Sequence, residues 1–405
     1  MTQAQHRESW LDGLRGLLLV VMALNHVDSP ISLLTFQPLG YASAAEGFVL
    51  VSGLTAGLVY TRRRDTLGLR GLVRYASARA LRIFTWHGVA LGAVVALNVV
   101  APGRVGLLPG LDLVDAPSWF EAARVLGSGL LLLYQPLLFD ILPLYVVLVL
   151  AAPWVVEGID RGAGAVVAVG SLALWLLAQW SPPSAWVYAL SGWLPVWRSG
   201  LDVVAFQVLF VAGIFAGRRL ALGLPLLPAG SRPLWWAAAG TVAAAGFLLR
   251  IVQRLSTGPL QWAALSAEEP GALSAVAAIA TSESLFGRPT LAAGRLLNAV
   301  ALAALLLLAQ PFVAWIVSRR WLTLLGRHAL PVFAWHVVLV YLLAPFTRPL
   351  RWQWHFAGPF SPPGCRHAGW AILLVAAITT VAVGSAWARG LMRRSSNEPY
   401  RRRGA

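Results

Sequence analysis

Residues 368–387 read AGWAILLVAAITTVAVGSAW, twenty consecutive residues without a charge. A helix rises about 1.5 Å per residue, so this stretch extends about 30 Å, the thickness of a bilayer's hydrocarbon core. Similar blocks recur along the chain. Working outward, we place them at about 12–27, 39–60, 83–101, 141–156, 163–179, 205–217, 234–251, 296–317, 329–345 and 368–387. The whole chain is 58% apolar and 12% charged, with mean hydropathy +0.69. A soluble domain has about 45–50% apolar and about 25% charged residues. A soluble globule, a disordered chain and a disulfide scaffold are therefore excluded. An outer-membrane barrel is excluded too, because its strands alternate over about ten residues. The expected fold is all-α: a polytopic integral membrane protein with about ten transmembrane helices.

All 32 basic residues are arginine, and the formal charge is +16. On a soluble protein that charge would point to nucleic acid. Here the arginines sit mostly between apolar blocks, which fits the positive-inside rule and no nucleic-acid partner. Twenty-one of them fall on one side if the N-terminus is inside, seven of these in 62–82. This places both termini in the cytoplasm. The segment 348–367 departs from the rule, putting Arg348, Arg351 and Arg366 outside beside His355 and His367. The first block has no small-x-small site before a mature domain, so it reads as a span rather than a cleaved leader. The lone Cys365 excludes an intrachain disulfide and any multi-thiolate metal site, and no metal is expected. One membrane domain over 1–390 and a basic tail over 391–405 complete the layout. The outer segments 102–124, 180–204 and 253–293 are the largest. The last two are rich in Trp, Pro, Ser and Gly, suiting either an interfacial belt or a carbohydrate-facing loop.

The first block carries Arg15 and His26, eleven residues apart. At 100° per residue they lie 20° from alignment on one helix face, about 16 Å apart along the axis. Asp12 falls on the same side. Ionisable groups at membrane depth need a cavity or a partner. Arg15 can snorkel and His26 can be a satisfied bundle histidine, or both can face a reaction cavity. Glu46, in the second block, can pair with His26 or Arg15 structurally, or orient His26 as a base. Gly53 and Gly57 form a small-xxx-small seam. Arg79 and Arg82, three apart on a helix, can grip phosphate bidentately or simply set topology. The stretch 129–139 is short enough to be re-entrant.

Residues 11–87 resemble the OpgC family, osmoregulated periplasmic glucan acyltransferases within the wider acyltransferase type 3 group. The resemblance rests on Leu11-Asp12-Gly13-Leu14-Arg15-Gly16, Asn25-His26 and Ser43-Ala44-Ala45-Glu46-Gly47-Phe48-Val49-Leu50-Val51-Ser52-Gly53. Arg15 and His26 match the group's Arg-x10-His motif, and Arg79 and Arg82 its Arg-x-x-Arg motif. Gln135-Pro136, Asp140-Ile141-Leu142-Pro143-Leu144-Tyr145 and Phe206-Gln207-Val208-Leu209-Phe210-Val211-Ala212-Gly213 also resemble the family pattern. The resemblance implies transfer of an acyl group, succinyl favoured, from cytoplasmic acyl-CoA to a periplasmic glucan or other glycan hydroxyl.

On that reading His26, Arg15 and Glu46 are the catalytic candidates. Arg79, Arg82 and His87 would hold the donor, and Asp140, Gln135 and Asn25 the acceptor. The acyl-CoA is a substrate, and no permanently bound cofactor is implied. The other partners are the glycan and the lipid bilayer, and a homo-oligomer is allowed. His336, beside Trp335, reads as a hydrogen-bonded bundle histidine. A proton-coupled secondary transporter using His26, Glu46 and Asp140 is the alternative, since such residues also mark ion pathways. A non-catalytic assembly subunit is a further one.

Overall fold

The computed structural model describes residues 3–27, 29–100, 119–180, 200–226, 231–257, 272–357 and 360–401. Among them each of the ten apolar blocks falls on helix and no strand forms. The principal helices are α1 (Gln3–Val27), α2 (Ala44–Val100), α3 (Trp119–Leu130), α4 (Ile141–Gly158), α5 (Gly164–Trp180) and α6 (Val203–Ala221). They continue with α7 (Arg232–Thr257), α8 (Ala293–Leu308), α9 (Gln310–Val317), α10 (Arg320–Arg327), α11 (Ala329–Ala357) and α12 (Pro362–Arg401).

The all-α membrane fold stands, while the count of about ten is not confirmed among the described residues. Seven helices among the described residues are long and apolar enough to cross a membrane, or eight if the pair α8 and α9, bent by 86°, forms one span. The difference arises because helix continues between blocks. The Arg-rich stretch 62–82, which lies between two apolar blocks, is helical within the 57-residue α2 and is interrupted at Gly68 (φ 60°, ψ 177°). At about 1.5 Å per residue α2 far exceeds one hydrocarbon core. Likewise α4 runs into α5 through a π-turn at Ile159–Ala163, where Gly162 has φ 86°. The segment 129–139 is not one continuous helix. Helix α3 ends at Leu130, and an irregular stretch with left-handed Leu132 and Leu138 leads to α4.

The chain divides into two units, residues 33–310 and residues 1–32 with 311–405. In the larger, α2 packs along α6 through the expected glycine seam. A Cβ on Gly53 would stand 2.1 Å from the Phe210 carbonyl oxygen, and one on Gly57 2.3 Å from that of Ile214. The seam is reciprocal, since Gly213 and Gly217 meet the carbonyl oxygens of Leu50 and Leu54 at 2.3 and 2.0 Å. Bare Cα atoms on both helices let the backbones touch. Gln207 fastens α6 to α5, accepting from Ser171 Oγ at 2.7 Å and donating to the Ser171 carbonyl at 2.6 Å. Three arginines close this end of the unit. Arg64 reaches Glu157 at 2.9 Å and Asp160 at 3.1 Å, Arg218 meets Asp160 at 2.6 Å, and Arg161 meets Glu157 at 2.8 Å. Together they form a structural clamp.

In the smaller unit α1 lies against α10, α11 and α12. Here Gly13 and Gly16 have a plain physical purpose. Their Cβ atoms would fall 2.0 Å from the carbonyl oxygens of Val317 and Leu322, and Gly326 returns the contact at 1.7 Å from Asp12 O. The Asp12 carboxylate meets Arg327 at 3.3 Å across the same crossing. Much of the Leu11–Gly16 motif is therefore a packing code that seats α1.

Candidate active site

In the smaller unit, α1 is continuous through Arg15, Asn25 and His26, so the eleven-residue spacing keeps Arg15 and His26 on one face. All three side chains are half-buried. His26 lies in the last turn and meets His336 of α11, with Nδ1 3.0 Å from Nε2 of His336. The two rings stack at 5.1 Å with 19° between their planes. His336 is 1% exposed. Its own Nδ1 bonds the carbonyl of Phe333, whose ring packs edge-on against the imidazole at 4.7 Å. His336 is thus the hydrogen-bonded histidine expected, and its partner is the candidate base. Helical spacing could not reveal this, because 310 residues separate the two.

In the larger unit Glu46 is 1% exposed, and its ion-pair partner is Arg295 of α8, at 2.9 Å. The second carboxylate oxygen accepts the Ser43 amide at 2.8 Å and the Ser43 hydroxyl. Arg295 also donates to the Phe286 carbonyl at 3.0 Å. One turn on, Asn298 accepts the amides of Tyr41 and Ala42 at 2.9 and 3.0 Å. The Tyr41 hydroxyl donates to the Ala280 carbonyl at 2.7 Å. Glu46 therefore anchors a network joining the start of α2 to α8. Arg295 and Asn298 escaped the sequence reading. Their signal was an Arg and an Asn three residues apart, at the head of an apolar block where one helix face would carry both.

Asp140 and Gln135 come together as expected. They line a cavity of about 70 Å³ with Leu132, Pro143, Leu144, Val147, Leu201 and Val203. Burial pushes the Asp140 carboxyl up to about 6, against the opposing pull of Arg288. Arg288, also missed from sequence, lies near enough to act on both Asp140 and Glu46. Its Nε is buried and makes no hydrogen bond among the described residues. Gly200, at φ 85°, closes on the same carboxylate: a Cβ there would be 2.6 Å from Asp140 Oδ2.

The donor-site candidates separate. Arg82 is exposed and donates to the Ala78 carbonyl of its own helix at 3.4 Å. Arg79 is half-buried beside the Tyr60 phenol. His87 does not join them at a surface. It is 0% exposed, bonded to the Gly129 carbonyl at 3.2 Å and edge-on to Phe139 at 5.9 Å. Five residues turn a helix through about 500°, which carries His87 to a different face from Arg82. It supports the backbone leading to Asp140 rather than presenting itself to a phosphate. His367, expected in an outer loop, is buried within α12. The side chains of Arg348, Arg351 and His355 lie outside the described residues, as do 101–118, 181–199 and 258–271 of the outer segments and the tail beyond Arg401.

The family model described as OpgC protein matches residues 7–390, nearly the whole chain. No curated protein and no solved structure matches it. The chain belongs to the OpgC family, and with it to the membrane acyltransferases that act on glucans.

Proposed function

We propose that this OpgC family member transfers an acyl group, succinyl favoured, from cytoplasmic acyl-CoA to a hydroxyl of a periplasmic glucan or another extracytoplasmic glycan. The observation that carries the proposal is His26, held by His336 at the end of the helix that bears Arg15. A thioester is already activated, so the enzyme needs a base, an oxyanion partner and a grip on the donor. His26 takes the proton of the acceptor hydroxyl as its oxygen attacks the thioester carbonyl. The C–S bond then breaks and the leaving thiolate recovers that proton from His26. General base catalysis of this kind contributes typically about 10²–10⁴-fold. Transient acylation of His26 would split the same transfer into two steps. Arg15 offers positive charge to the thioester carbonyl oxygen or to a CoA phosphate. Arg79 and Arg82 take the CoA phosphates, because a planar guanidinium binds phosphate oxygens in pairs. Asp140 and Gln135 recognise acceptor hydroxyls, Asn25 is a substrate-binding candidate beside His26, and Glu46 contributes by holding Arg295. The enzyme sits in the inner membrane with both termini in the cytoplasm.

The test is transfer from labelled succinyl-CoA to a β-glucan oligosaccharide by the full chain in proteoliposomes, read by mass spectrometry. His26→Ala should insert normally, since it removes a polar group from the bilayer, and should lose transfer. A well-expressed His26→Ala protein with near wild-type transfer would overturn the reading.

A further inference from the structure

The two imidazoles define a hydrogen-bond chain whose direction can be read from chemistry alone. A backbone carbonyl only accepts, so His336 must carry its proton on Nδ1 to bond Phe333. A neutral imidazole with a proton on Nδ1 has its lone pair on Nε2. That lone pair faces His26 Nδ1 at 3.0 Å, so His26 must carry its own proton on Nδ1. The lone pair of His26 is then on Nε2, the nitrogen pointing away from the pair. We infer that His336 is the positioning residue of the acyl transfer, fixing the tautomer and ring orientation that make His26 Nε2 the base. The inference rests on the reading of His26 given above.

The arrangement has the logic of an orienting acid behind a catalytic histidine, with imidazole in place of carboxylate. The substitution suits the location. A lone carboxylate at membrane depth is an ion that needs its own counter-charge, whereas a neutral imidazole does not. His336 is itself held firmly, by the Phe333 carbonyl at one nitrogen and the Phe333 ring against its face. When His26 accepts the hydroxyl proton at Nε2, its Nδ1–H becomes a charge-assisted donor to His336. At 3.0 Å the pair carries one extra proton between them and not two, because two adjacent imidazolium ions would repel. The proton then returns through Nε2 to the leaving thiolate.

His336→Phe keeps a planar ring in the core and removes the acceptor. His336→Gln keeps an acceptor oxygen but cannot be protonated. With succinyl-CoA and a β-glucan oligosaccharide, kcat of His336→Phe should fall at least about 100-fold while KM for both substrates stays within about threefold. His336→Gln should recover at least about tenfold of that loss. Nitrogen NMR of the full-length, histidine-labelled protein should show His26 protonated at Nδ1 in the wild type and losing that preference in His336→Phe. A His336→Phe protein with kcat within threefold of wild type, alongside an inactive His26→Ala, would overturn this inference and leave the proposed function standing. Should His336→Phe fail to fold, the wild-type spectrum decides: a proton on Nε2 of His26 overturns the inference, and one on Nδ1 supports it. An active His26→Ala protein would instead remove the reading of His26 on which the inference depends, and overturn it too.

Discussion

Replacing Glu46 by Gln should unfold the larger unit more readily, and the size of the effect follows from the burial of its partner. Arg295 is 5% exposed, and its charge is matched by a carboxylate that is 1% exposed. Removing one member of a buried pair typically costs about 3–5 kcal/mol, because the other is left charged away from water. The remaining contact of Arg295, to the Phe286 carbonyl, cannot neutralise it. A domain of a couple of hundred residues loses about 2–4 °C per kcal/mol. Thermal unfolding in detergent, followed by fluorescence of the 19 tryptophans, should therefore move down by roughly 6–20 °C. Arg295→Gln alone should do comparable damage. The double variant should recover more than half the loss, since no unpaired charge remains, giving a coupling of about 2 kcal/mol or more in a double-mutant cycle. A coupling below about 0.5 kcal/mol would refute the assignment. So would an unchanged transition with transfer abolished, which would make Glu46 a participant in the chemistry rather than a strut.

Other expectations follow from the same geometry. Gly13→Ala or Gly16→Ala should prevent α1 from seating, because each Cβ would meet a carbonyl oxygen at 2.0 Å, and yield of monodisperse protein should collapse. Gly240→Ala, with nothing within 4 Å of its Cβ, should be neutral or stabilise by up to about 1 kcal/mol; equal yields for all three would refute the packing code. Arg82→Lys should weaken CoA binding about 10- to 150-fold in titration calorimetry, as loss of a charge-assisted contact costs roughly 1.5–3 kcal/mol, whereas equal affinity would leave the pair a topology signal. Asp140→Asn tests a pH dependence. The folded pKa is raised, from 3.8 to about 6, so the stabilising contribution is present below 3.8 and is lost as pH rises through about 6. At pH 7 the ionised, buried carboxylate costs roughly 3 kcal/mol. The Asn variant should thus melt above wild type at pH 7 and converge with it near pH 4, and a difference constant with pH would refute the shift.

The sequence by itself determined the membrane fold, because a bilayer imposes a length and an apolarity that any one segment shows alone. Residues 368–387 need no partner to declare a crossing. The glycine seam at Gly53 and Gly57 was legible for the same reason: its periodicity is local. The shared face of Arg15 and His26 also follows from helix geometry within one segment. Helix continuity across the arginines of 62–82 was not legible, because charge marks a boundary of the bilayer and not a boundary of the helix. Only tertiary structure decided who partners whom. Glu46 meets Arg295 across 249 residues and His26 meets His336 across 310, distances over which no periodicity carries information. Equally, His87 sits close in the chain to Arg79 and Arg82, yet helix rotation and the packing of α3 enclose it. Hydrophobic length is a property of a segment and can be read from it. A hydrogen bond between buried groups belongs to two segments at once, and exists only after the helices have packed.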